Sequence, residues 1–136
     1  MATPENSFIS GVHSRYLDPL RLYWMKNHNA YVGGIADCWY SGKARKSRDL
    51  WIEYKFIKVP ARDTTIIKPE LSPLQVEWLT SRKEEGRHVA VVVGCKEGAV
   101  VLTPAQWESI TTGVFRQALQ TRRALAEFIT NFVNCT

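Results

Sequence analysis

Glu53 and Lys55 stand two residues apart in Asp49–Val59, the clearest alternating stretch of the chain. Period-2 geometry puts Leu50, Ile52, Tyr54 and Phe56 on one face and Asp49, Trp51, Glu53, Lys55 and Ile57 on the other. The apolar set belongs to a core, which leaves Glu53 and Lys55 side by side on a polar face. Asp37 begins or lies within the preceding strand-like run, Ile35–Tyr40. Paired as a hairpin across 41–48, the two runs bring Asp37 within reach of Glu53. Two carboxylates and one lysine then converge on one point. That set suits metal-assisted phosphodiester hydrolysis. Mg²⁺ takes hard oxygen ligands and keeps several waters, so one or two carboxylates and a backbone carbonyl suffice. Such an ion polarises the scissile phosphate and lowers the pKa of water. A lysine beside it orients that water and offsets developing charge. The competing reading is a plain cross-strand ion pair on a solvated sheet face, because Glu-x-Lys is a common tripeptide.

The charge balance adds a second feature. Of 136 residues, 18 are Lys or Arg and 13 are Asp or Glu, a net charge of +5. Residues 1–68 carry 11 basic and 6 acidic side chains, and residues 69–136 carry 7 of each. The densest basic stretch is Lys43, Arg45, Lys46 and Arg48, between the two strand-like runs. A loop of that kind either holds a phosphate backbone or is a solvated turn. Length and composition fit one folded domain, with 45% apolar and 23% charged residues excluding a disordered chain. The longest apolar run, Val89–Val93, falls far short of the roughly 20 residues that span a bilayer. No secretory signal is legible at the N-terminus, so a cytoplasmic protein without membrane contact is expected. Cys38, Cys95 and Cys135 are far apart and form no CxxC pair, which reads as reduced thiols. His13, His28 and His88 form no metal-ligand spacing. His88 reads as the opening of a central strand, and His13 lies on the first helix.

The positioning elements follow from periodicity and capping signals. Residues 5–28 read as helical in one or two pieces, with Phe8, Ile9 and Val12 on one face and Leu20, Tyr23 and Trp24 repeating the spacing after Asp18-Pro19. A loop over 27–34 ends in Gly33-Gly34. Thr64–Ile67 is a candidate third strand. Ser72, Pro73 and Gln75 spell an N-cap, N1 and N3 capping box, with Gly86 as the stop. His88–Gly94 is apolar on both faces and hence central, and Ala99–Leu102 is an edge strand. Thr103-Pro104-Ala105-Gln106 repeats the capping pattern and predicts a helix through about Thr112. Phe115, Leu119, Leu125, Ile129 and Phe132 predict one last helix over 114–133. The order predicts an α/β fold, a small mixed sheet flanked by helices. Trp39 and Trp51 share the face of Asp37 and Glu53, where they either pack, wall the site or stack on a base.

Gly34-Ile35-Ala36-Asp37 followed by Glu53-Tyr54-Lys55 resembles the PD-(D/E)XK nuclease superfamily, which implies a restriction-endonuclease-like fold. The continuation, Leu71-Ser72-Pro73-Leu74-Gln75, then Trp78-Leu79 and Gly86 before Val89–Gly94, looks like its VRR-NUC branch of small phage-type and repair nucleases. In that branch a Gly-x-Pro-Asp motif, a Glu-x-Lys motif and a Ser-x-x-Gln helix start follow in this order. The resemblance spans about residues 27–102, with residues 104–136 a C-terminal helical extension of the single domain 1–136. It implies Asp37 and Glu53 as metal-binding carboxylates, Tyr54 lending its backbone carbonyl, Lys55 as catalytic lysine, and Gln75 approaching from its helix start. Gln75 serves equally as the N3 partner of its own cap. Ala36 stands where the family usually has proline. The family's extra N-terminal acid has no clear counterpart, since Glu5 is the only glutamate before Gly33-Gly34 and sits almost at the chain start.

The resemblance thus implies a Mg²⁺- or Mn²⁺-dependent endonuclease of phage type acting on DNA, with RNA left open. The small size suggests selection of branched, flapped or nicked structures. Lys43, Arg45, Lys46 and Arg48 are the expected DNA contacts. A homodimer is implied because cutting two strands needs two sites, and the apolar C-terminal helix is one candidate for its seam. If phage-encoded, the protein would act in the host cytoplasm. The alternative is a non-catalytic nucleic-acid- or protein-binding module that retains the fold.

Overall fold

Thr3 opens the first helix by accepting a hydrogen bond from the Asn6 N–H at 3.1 Å, with Pro4 at the first helical position. The computed structural model describes residues 3–27 and 33–136. The helix, α1 (Pro4–Tyr16), buries Phe8, Ile9 and Val12 and ends before Asp18-Pro19. The expected second helical piece does not form. Asp18 makes a turn, its Oδ1 accepting from the Leu20 N–H at 2.9 Å, and strand β1 (Leu22–Lys26) begins. Leu22 is buried and Trp24 half-buried, while Tyr23 and Met25 are exposed. Leu20, Tyr23 and Trp24 fit helical spacing over three residues only, and the alternation of 22–25 wins once β1 finds a partner. Most of the loop expected over 27–34 lies outside the described residues.

Strand β2 (Cys38–Gly42) starts three residues later than the Ile35–Tyr40 run, and β3 (Asp49–Phe56) comes next across the expected turn. Both β1–β2 and β2–β3 are antiparallel. Ile66–Ile67 forms β4, shorter than the Thr64–Ile67 candidate, and joins a separate two-stranded sheet. Helix α2 (Pro73–Glu84) carries both bonds of the Ser72/Gln75 capping box. It leads into β5 (Val89–Cys95), which runs parallel to β3 as an inner strand, and β6 (Gly98–Leu102) forms the edge beside it. The five-stranded mixed sheet has the order β1-β2-β3-β5-β6. The α/β architecture read from the sequence is therefore present.

The C-terminal third departs from the two expected helices. The Thr103/Gln106 box closes a single 3₁₀ turn, Pro104–Gln106. Ile110–Thr111 becomes strand β7, paired with β4, because this β-branched segment finds 65–67: Thr112 donates from N–H and from Oγ1 to the Thr65 carbonyl at 2.9 and 2.7 Å. The run 114–133 splits into α3 (Thr112–Ala118) and α4 (Arg122–Val133). Between them Gln120 exchanges two 2.9 Å backbone bonds with Ala99. A Cβ at Gly98, whose φ is 151°, would lie 2.1 Å from the Gln120 carbonyl, so only glycine lets the chain approach there. Thr121 then caps α4, accepting from the Ala124 N–H at 3.0 Å.

Helices α1 and α4 cover one sheet face, packing Phe8, Ile9, Leu125 and Ile129 against Tyr40, Ile52, Tyr54 and Val92. Helices α2 and α3 cover part of the other, with Leu79 and Phe115 on Val91, Val93 and Leu102. Burying each such large apolar side chain stabilises by about 1.5–3 kcal/mol. The second face of β3 is therefore neither the polar face predicted nor the solvated face of the competing reading. Trp51 and Ile57 pack into this second core, and Glu53 between them is only 2% exposed. Among the described residues no helix is long and apolar enough to cross a membrane.

Candidate active site

The β2–β3 register pairs Cys38 with Ile52, so one step further Asp37 stands opposite Glu53. Asp37 Oδ2 accepts the Tyr54 N–H at 2.8 Å, which fixes its carboxylate against β3. Backbone parity supports the Tyr54 carbonyl as a third oxygen. The Trp51 and Ile57 N–H groups donate to His88 and Gly94 on the β5 side at 3.0 Å each. Tyr54, an odd number of residues from both, presents its backbone to the opposite edge. Its N–H and carbonyl therefore both point to where β2 has already ended.

A third carboxylate joins them. Oxygens of Glu5, Asp37 and Glu53 all lie within 4.8 Å of one another. Glu5, which the sequence left without a role, comes from the first turn of α1. The Thr3-Pro4 helix start was the available signal, because it fixes where α1 begins. That the helix docks its N-terminal end here is a tertiary fact.

Gln75 closes the other side. Its Nε2 donates to Glu53 Oε2 at 3.1 Å, and its Oε1 accepts from Lys55 Nζ at 3.2 Å and from the Ser72 N–H at 2.9 Å. Both readings of Gln75 hold together: it caps α2 and it joins the site. Lys55 Nζ also lies 3.9 Å from Glu53 Oε2. The start of α2 is pressed onto the segment leading to Asp37. Gly34, at φ 85°, leaves room where a Cβ would meet the Leu74 carbonyl oxygen at 2.4 Å. Ala36 is fully buried in the second core.

Burial, and next the Asp37 carboxylate, push the Glu53 carboxyl up to about 9, with Lys55 opposing. Burial and Asp37 also raise Glu5. Among the described residues Glu53 Oε1 is buried with no hydrogen-bond partner. Three converging acids, one with an orphaned buried oxygen, form a hard-oxygen donor set that suits Mg²⁺ or Mn²⁺. A divalent cation would relieve both the mutual repulsion and the unsatisfied oxygen. With Lys55 alongside, the arrangement can hold a phosphate and direct a water at it.

The remaining candidates lie elsewhere. Lys43, Arg45, Lys46 and Arg48 occupy the far end of the β2–β3 hairpin; the two nearest are Arg48, five residues from Glu53, and Lys43, six from Asp37, or roughly 17–20 Å along the strands. Two of the four are engaged. Arg48 Nε donates to the Phe132 carbonyl at 2.8 Å with its guanidinium over that ring, and Lys43 Nζ donates to the Pro19 carbonyl at 2.5 Å. Arg45 and Lys46 are exposed. Trp51 packs edge-to-face on Trp78, with ring centroids 5.4 Å apart. His13 faces inward: its Nε2 lies 2.7 Å from the Tyr40 hydroxyl, which lies 2.6 Å from that of Tyr54. Burial and then Lys26 lower His13 to about 4, so it is neutral at pH 7. His88 packs edge-to-face on Phe132.

No protein-family model matches the chain, and no curated protein does. Among the solved structures that match is Hjc of Archaeoglobus fulgidus, described as a Holliday junction resolvase from an archaeal hyperthermophile. It is 17% identical, the match covers 79% of this chain and 87% of that one, and the TM-score is 0.47. That identity and that score are too low to transfer an activity, so the function of this chain rests on the residues at its own site.

Proposed function

We propose that this chain is a Mg²⁺- or Mn²⁺-dependent nuclease of the PD-(D/E)XK type that hydrolyses phosphodiester bonds in DNA. The observation that carries this reading is the convergence of Glu5, Asp37 and Glu53 within 4.8 Å beside Lys55, with one Glu53 oxygen buried and unpartnered. Glu5, Asp37, Glu53 and the Tyr54 carbonyl would hold the ion. When bound, it supplies Lewis-acid polarisation of the phosphate and a more acidic water. The chain's own groups do the positioning. The Tyr54 N–H holds Asp37, and the Gln75 amide holds Glu53 in one rotamer. Lys55, steadied by Gln75 Oε1, keeps further ammonium protons to orient the attacking water and to meet charge growing on the phosphate. Water's oxygen bonds to phosphorus as the P–O bond to the leaving nucleotide breaks; the water gives up a proton to solvent and the leaving oxygen takes one up.

The Ser72-to-Gln75 helix start, whose glutamine bonds both Lys55 and Glu53, supports assignment to the VRR-NUC branch and its phage-type members. A homodimer able to cut two strands would need a seam other than the α4 stripe, because Leu125, Ile129 and Val133 pack on the sheet. The test is incubation with linear, nicked, flapped and four-way DNA, and with RNA, in Mg²⁺, Mn²⁺ or EDTA. Metal-dependent cutting of branched or flapped DNA is expected. Purified protein that cuts nothing on the whole panel would leave a binding module that retains the fold.

A further inference from the structure

On the face bearing Asp37 and Glu53, strand pairing sets residues in rows across the sheet. Next to the site's row lies Met25–Trp39–Trp51, and beyond it Tyr23–Ser41–Asp49. Over β3, Trp78 of α2 packs on Trp51. Over β1 the face stays open among the described residues: Tyr23 is 57% and Met25 51% exposed. Trp39 is half-buried and held. Its indole N–H donates to Asp49 Oδ2 at 3.0 Å, so the ring keeps one orientation. The other Asp49 oxygen accepts from the Ser41 hydroxyl at 2.7 Å, so both oxygens of this acid are occupied. Lys43 Nζ stands 4.2 Å over the Tyr23 ring, and the exposed Arg45 and Lys46 lie further along the same turn. The result is an apolar, aromatic shelf rimmed by cations. Trp39 lies two residues, about 7 Å, along its strand from Asp37.

We propose that this shelf takes an unpaired nucleic-acid strand, with bases stacked on Trp39 and the Tyr23/Met25 surface and phosphates facing the 43–48 turn. The bond delivered to Asp37 and Glu53 then adjoins a single-stranded segment. This rests on the nuclease reading of the site and names the form of substrate it takes. Every base offers a π-face, so stacking tolerates any sequence, whereas bases in a duplex stack on each other and cannot reach the shelf. The charge of the rim fits a polyanion. A basic turn alone would hold duplex and single strand alike.

The test uses metal-free protein in EDTA with fluorescein-labelled single-stranded and blunt duplex oligonucleotides of equal length, read by anisotropy. Trp39→Leu should weaken single-strand binding by roughly 5- to 150-fold, the range for losing one stacked base. Duplex binding should change by less than about twofold. Tyr23→Ser/Met25→Ser, which alters only exposed side chains, should weaken single-strand binding in the same direction and guards against misfolding of Trp39→Leu. If the folded double variant binds single strands as wild type does, the shelf is not a nucleic-acid platform. A wild-type dimer that this variant dissociates, with single-strand binding unchanged, assigns the face to a second copy of the chain and also overturns the proposal. Cleavage is read separately with Mg²⁺ and Mn²⁺. Shelf-dependent binding without any cleavage keeps the platform and removes the nuclease, and cleavage with shelf-independent binding does the reverse.

Discussion

Gln75 accepts a hydrogen bond from Lys55 at 3.2 Å through the same oxygen that caps its own helix. One side chain thus ties the start of α2 to the lysine on β3, while its amide nitrogen reaches Glu53. The arrangement separates two effects that a single substitution would mix. Ser72→Ala removes the cap acceptor and should cost about 0.5–2 kcal/mol of stability while leaving cleavage nearly intact. Gln75→Ala should cost similar stability and also lower the cleavage rate, because Lys55 and Glu53 both lose a positioning partner. Thermal melts and single-turnover rates on both variants check this. Equal rates for the two would confine Gln75 to its helix.

Metal-free protein should lose stability as pH rises through neutrality. Burial and Asp37 hold the Glu53 carboxyl near 9, against 4.5 in the unfolded chain. Between those values the folded state keeps a proton that the unfolded state has released, so unfolding is favoured as pH increases across the window. Scanning calorimetry in EDTA should show a lower Tm at pH 9 than at pH 6. Glu53→Gln should flatten that slope. Mn²⁺ should restore stability at high pH, because it binds the folded, deprotonated site.

Isothermal titration should rank the three acids. Asp37→Ala and Glu53→Gln are expected to abolish measurable Mn²⁺ binding, and Glu5→Gln to weaken it. Glu53→Gln changes almost no volume, so its effect reports charge. Mn²⁺ binding equally well to wild type and to Asp37→Ala would remove Asp37 from the site.

The basic turn should contribute less than its four charges suggest. Arg48 is bound to Phe132 and Lys43 to Pro19, which leaves Arg45 and Lys46 free to meet phosphate. Neutralising Arg45 and Lys46 should flatten the slope of log K against log salt by up to about 2 × 0.9 for duplex DNA. An unchanged slope would make the turn an ordinary solvated one.

Asp37, Glu53 and Lys55 were legible because their geometry is local: a period of two along one strand and a hairpin that folds back on it. Gln75 was legible because a capping box is written in four consecutive residues. Glu5 was not, since its approach depends on how α1 docks through Phe8, Ile9 and Val12. The Leu22–Lys26 strand was missed for a related reason: five residues match either period, and pairing with β2 decides. Likewise Thr103-Pro104 marks where a helix can start and is silent on its length, which pairing of Ile110–Thr111 with distant Ile66–Ile67 cuts short. The burial of Glu53 escaped because alternation sorts residues by face and does not say what covers a face.

Lys55 provides the sharpest test of the mechanism. Its ammonium lies 3.9 Å from Glu53 and is held by Gln75, while its side chain remains partly exposed. Removing it therefore opens no core cavity. Tyr54 and Phe56 on either side keep the strand on the first core. Lys55→Met retains the aliphatic stem and deletes the charge and its donors. Losing one such preorganised donor should lower the cleavage rate by about 10²–10³. Mn²⁺ binding should survive, because Lys55 contributes no ligand oxygen, and DNA binding should change little. Circular dichroism, Mn²⁺ titration and single-turnover cleavage on the same preparation separate these outcomes. A folded, metal-binding Lys55→Met protein that cuts at the wild-type rate would show that cleavage does not depend on this lysine and would move the catalytic role elsewhere.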